Sequence, residues 1–119
     1  MSRQEITNLT GAVMITAVVT AGRAEEILKA ARDVGAGGGI VHNARGTGAR
    51  ERLGLLGIAV EAEKEVVSLI VAAEHRDLVT AAVYRAGGLD APGGGYLYVT
   101  ELERLATYVP QEALQRMGK

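Results

Sequence analysis

Residues 65–72 read Glu-Val-Val-Ser-Leu-Ile-Val-Ala, the stretch that decides the fold. It is apolar on both sides of a two-residue alternation and rich in β-branched side chains, which is how a strand inside a sheet reads. Working back, residues 11–20 (Gly-Ala-Val-Met-Ile-Thr-Ala-Val-Val-Thr) have the same character. Between them, residues 22–34 carry Ala24, Ile27, Leu28, Ala31 and Val34 at helical spacing, with Glu25, Lys29, Arg32 and Asp33 off that face. Gly35 follows as a helix-ending residue, and residues 40–45 form a further strand candidate. Residues 46–56 read as a polar, glycine-containing loop.

Working forward, residues 75–86 predict a second helix, with Leu78, Val79, Ala82, Val83 and Ala86 on one face and Gly87 ending it. Residues 96–100 (Tyr-Leu-Tyr-Val-Thr) predict a short strand, and residues 102–119 an amphipathic short helix and a tail interrupted by Pro110. The order β-α-β-β-α-β is the α+β ferredoxin-like plan: a four-stranded antiparallel sheet with two helices on one face. The expected division is an N-terminal extension at 1–10, the domain at 11–108 and a C-terminal tail at 109–119. On the face without helices, Met14, Val18, Val66 and Ile70 remain apolar. Water does not tolerate such a face, so an oligomer is expected.

Composition narrows the function. The 119 residues suffice for one core. With 13 Lys and Arg against 14 Asp and Glu, the net charge of -1 gives no general attraction to nucleic acid or anionic membranes. Cysteine is absent, which excludes disulfides, thiolate metal sites and thiol nucleophiles. No apolar run approaches the roughly 20 residues of a membrane span, and residues 1–10 lack the build of a signal peptide. A cytoplasmic protein that is not membrane-embedded is expected. Phe and Trp are absent too, so the core must be aliphatic.

Three glycine clusters remain to be explained. Gly35-Ala-Gly-Gly-Gly39 has Ile40 where a dinucleotide fingerprint needs glycine, and it follows a helix; it reads as a connection. Arg45-Gly-Thr-Gly48, with Arg50 nearby, ends a strand and offers backbone N–H groups and guanidinium to an anion, although a plain turn fits as well. Gly87-Gly-Leu-Asp-Ala-Pro-Gly-Gly-Gly95 holds more glycine than a connection needs, given its entropic cost, and suits phosphate. His42 reads as a structurally held histidine and His75 as a solvated one. Glu61, Glu63 and Glu65 read as a solvated strand end. No catalytic constellation and no metal-ligand spacing stand out.

Taken together, Arg45-Gly-Thr-Gly48, Glu63-Lys-Glu-Val66, the glycine loop and Gly95-Tyr-Leu-Tyr-Val-Thr-Glu101 resemble the PII signalling family over residues 11–108. The resemblance implies a homotrimer whose sheets line a central barrel, with an adenine nucleotide (ADP, AMP or ATP) as regulatory ligand between subunits and no enzyme activity. It implies no cofactor and no metal, and a protein target, a transporter or enzyme, controlled by docking. The site residues it implies are Arg45, Gly46, Thr47, Gly48, Arg50, Lys64, Gly87, Gly88, Gly93, Gly94 and Gly95. The sequence departs from the family where Tyr96 replaces a lysine and where Thr107 and Val109 stand near the place of paired arginines. The loop after the second strand is short and has no tyrosine. These departures resemble the divergent PII-like branch, some members of which sense bicarbonate as well. The alternative is a trimeric assembly or metal-handling module of the CutA kind, for which the glycine loop has no use. A dimeric-barrel enzyme would have to rely on His42.

Overall fold

The computed structural model describes residues 6–46 and 62–113. Strand β1 is Asn8–Leu9 and β2 is Ala12–Thr20; helix α1 is Ala24–Asp33. Strand β3 is Gly39–Gly46, β4 is Ala62–Ala72, and a 3-10 turn at Ala73–His75 leads into helix α2, Arg76–Ala86. Strand β5 is Gly95–Leu102 and β6 is Leu105–Ala106. The sheet runs β3-β4-β2-β5 with every neighbouring pair antiparallel, the ferredoxin-like arrangement expected from the order of elements.

The two strongly apolar stretches take the two central positions, where both edges are hydrogen-bonded. Ile15 lies opposite Leu69, and Ala17 opposite Val67. Val13, Ile15, Ala17 and Val19 of β2, with Val67, Leu69 and Val71 of β4, are buried on one face. Ala24, Ile27 and Ala31 of α1 and Val79 and Val83 of α2 close over them. The largest fully buried side chains are all Ile, Leu or Val, each contributing roughly 1.5–3 kcal/mol by leaving water. Gly39 has a packing role: a β-carbon there would stand 2.6 Å from Leu69 Cδ2 and 2.9 Å from Leu28 Cδ2. Its bare backbone lets α1 come close to the sheet.

Two details differ from the sequence reading. Residues 102–106 are extended rather than helical: β5 continues to Leu102, which pairs with Ala12, and β6 pairs with β1 through Leu9 and Leu105. The amphipathic pattern that suggested a helix is overridden there by ladder pairing; among the described residues of 102–119 only 111–113 are helical, and 114–119 lie outside them. Leu78 is exposed, because Val79 and Val83 define the inward line of α2 and Leu78 lies off it.

The second face of the sheet has no cover within the described chain. Met14, Val18 and Val66 are half-buried, whereas Ile40, Ile70, Tyr96 and Tyr98 are exposed.

Candidate functional site

Antiparallel pairing brings one end of the sheet together. The end of β3, the start of β4, the end of β2 and the start of β5 all lie there. Arg45 pairs with Glu63, Lys64 with both Ala44 and Thr20, and Gly95 with Val19. Arg45, Gly46, Lys64 and the loop 87–95 therefore share this end. They are split between edges, since β3 and β5 are separated by three inter-strand steps, about 14 Å. The predicted residues Thr47, Gly48 and Arg50, and the loop 46–56 beyond Gly46, lie outside the described residues.

The glycine loop is a compact structure. Gly87 N–H donates to Val83 O (2.8 Å), Gly88 to Arg85 O (3.1 Å) and Leu89 to Tyr84 O (3.0 Å), so the last turn of α2 runs into the loop. Ala91 N–H returns to Gly88 O (3.3 Å), and Gly94 N–H to Ala91 O (3.2 Å). Leu89 is buried in the core and anchors the loop. A β-carbon at Gly94 would overlap the Gly88 carbonyl oxygen, and one at Gly95 the Val18 carbonyl oxygen. These glycines are thus required by the loop's own fold and by its contact with β2. Many of the N–H groups in the loop are already committed. Among the described residues, those of Asp90 and Gly93 are not.

The cations divide into three situations. Arg45, exposed, lies 3.4 Å from its cross-strand partner Glu63. Lys64 is almost fully buried, at 9% exposure, on the face without helices. Arg23, which the sequence reading did not select, precedes α1 and lays its guanidinium over Gly88. From the place a β-carbon would take on Gly88, Nη2 is 3.3 Å, Cζ 3.4 Å and Nε 3.7 Å away. The available signal was its position directly after an apolar strand and before a helix, where the chain turns at this end of the sheet.

Glu65 is not a solvated strand-end carboxylate. Its Oε1 accepts from Gly22 N–H and Ala24 N–H, both at 2.9 Å, and so caps α1 from the neighbouring strand. Glu63 is exposed as read, and Glu61 lies outside the described residues. His42 is exposed on β3 with no hydrogen bond among the described residues, whereas the sequence reading had it hydrogen-bonded in place. His75 is exposed at the start of α2. Among the described residues no three His, Cys, Asp or Glu side chains gather as a metal site, and no helix is long and apolar enough to cross a membrane. The arrangement brings glycine backbone and separated guanidinium groups to one end of the sheet.

No family model matches the chain, and no curated protein matches it. Solved structures do. Arabidopsis thaliana PII bound to citrate aligns with a TM-score of 0.60 at 18% identity, covering 79% of each chain. The Bacillus subtilis GlnK–ATP complex aligns at 0.64 and 19% identity, covering 80% of this chain and 85% of that one. A Bacillus cereus protein related to NIF3 aligns at 0.61 and 21%, covering 86% of this chain but 28% of that one. At these identities the likeness is one of fold: the chain has a PII-like fold.

Proposed function

We propose that this protein is a PII-like signalling protein that binds an adenine nucleotide, ADP, AMP or ATP, between the subunits of a homotrimer. It controls a transporter or enzyme by docking, with bicarbonate as a candidate second ligand, and performs no reaction of its own. One observation carries the reading: the end of β3, with Arg45 and Gly46, and the loop 87–95 lie at the same end of the sheet on opposite edges. In a closed ring of subunits the edge of one meets the edge of the next. The two segments, about 14 Å apart within one chain, then flank a shared cleft. The PII-like fold supports this reading, and the similar GlnK structure is an ATP complex.

Calorimetric titration tests it, using ATP, ADP, AMP and cyclic AMP, each with and without bicarbonate and 2-oxoglutarate. Saturable binding of at least one adenine nucleotide, near one per chain, is expected. Heats indistinguishable from dilution for all four would overturn it. The glycines are poor probes for such an experiment, because a side chain at Gly94 or Gly95 collides with the protein's own backbone.

A further inference from the structure

We infer that Arg23 is the phosphate-binding cation of the glycine-rich loop and that Glu26 holds it in reserve, so that the Arg23–Glu26 pair and a bound phosphate exclude one another. The inference rests on the nucleotide reading above and assigns a residue to that site.

The root of the side chain is fixed. Arg23 N–H donates to Thr20 O (3.3 Å) at the end of β2, and Arg23 O accepts from Ile27 N–H (3.1 Å) in the first turn of α1. From there the guanidinium reaches the loop. Its three nearly equal distances over Gly88 mean that it lies broadside to the backbone, where glycine leaves room for it. Gly88 adopts φ of 71°, a conformation that other residues rarely take, so glycine suits both this turn and the approach of the guanidinium.

The alternatives for charge at this place are weaker. The N–H groups of Gly22 and Ala24, which would otherwise draw an anion to the start of α1, already serve Glu65. Arg45 is at the opposite edge of the sheet beside Glu63, and Lys64 shows solvent little of its surface. Arg23 is the cation whose guanidinium lies over Gly88, and it is reachable: its side chain is 47% exposed.

Its Nη1 contacts Glu26 Oε1 at 3.2 Å, one turn along the helix, with Glu26 64% exposed. An ion pair this open to water is weak. A phosphate offers the guanidinium two parallel hydrogen bonds and more charge than a carboxylate. A phosphate at the loop therefore takes Arg23 from Glu26 at small cost, and removing the Glu26 charge should favour binding. A merely structural pair would not behave this way.

The test is calorimetry of ADP and of adenosine, which lacks phosphate, with the unmodified protein, Arg23→Gln, Arg23→Lys and Glu26→Gln. Circular dichroism melts confirm that each variant folds. Arg23→Gln should weaken ADP roughly tenfold to a hundredfold while leaving adenosine unchanged. Arg23→Lys should recover part of the loss, and Glu26→Gln should tighten ADP roughly two- to fivefold. ADP binding by Arg23→Gln equal to that of the unmodified protein overturns the inference and leaves the nucleotide reading standing. Weakening in Arg23→Gln without any gain in Glu26→Gln overturns the reserve role of Glu26. Failure of the unmodified protein to bind either ligand overturns both the inference and its premise.

Discussion

On the helix side of the sheet, Ile15 and Leu69 face each other across β2 and β4 and are fully buried. One residue further along β2, Thr16 meets Ser68 on the opposite side, in a row with Tyr98 and Ile40, which stay 50% and 62% exposed. Thr16 is itself buried there, and its hydroxyl oxygen has no hydrogen-bond partner among the described residues. The strands carry apolar residues on both faces, yet the two helices cover only one. The helices finish the first face, whereas much of the second has no cover among the described residues. Stability is thus written on one set of alternate residues, and the proposed assembly would use the other set on the same strands.

Substitutions on the two faces should part company. Ile15→Ala opens a cavity in the covered face and should cost about 2–5 kcal/mol, measured by urea unfolding. A cost under about 1 kcal/mol would mean that this face is not the core. Glu65→Ala removes the carboxylate that caps α1 from β4 and should cost about 1 kcal/mol by the same measurement. No change would mean that water replaces the cap without loss. Ile70→Lys lies on the open face at a position 45% exposed and should leave the stability of the separated subunit within about 0.5 kcal/mol. Its effect should appear in assembly, as a shift toward the monomer mass in size-exclusion chromatography with light scattering. An unfolded Ile70→Lys variant would merge the two faces into one role and break the comparison.

The division between the faces was legible in the sequence because strand alternation is a strict period. Val13, Ile15 and Val19 could be separated from Met14 and Val18 before any coordinates, and the sheet order followed from β-α-β-β-α-β. What misled was the amphipathic pattern of residues 102–119, which suits a helix until the long-range pairing of Leu102 with β2 and Leu105 with β1 is known. Leu78 failed for a related reason: periodicity gives a helix face to within one position, and packing chooses the line.

The site was less legible. Glycine content marked the loop 87–95 but not the reason for each glycine. Gly94 and Gly95 are bare because backbone carbonyl oxygens of Gly88 and Val18 lie against them, a contact that depends on three-dimensional approach. Glu65 read as solvated because its helix-capping partners, Gly22 and Ala24, stand more than forty positions away in sequence. Arg23 escaped notice for the same reason, since its neighbour Gly88 is distant along the chain.

The claim that the open face is an assembly face is tested most directly by the mass of the unmodified protein in solution. Light scattering across micromolar concentrations should give three times the 12.4 kDa of a single chain. A stable species at 12.4 kDa would contradict the account, leaving Ile40, Ile70, Tyr96 and Tyr98 in water and removing the subunit boundary on which the proposed nucleotide cleft depends.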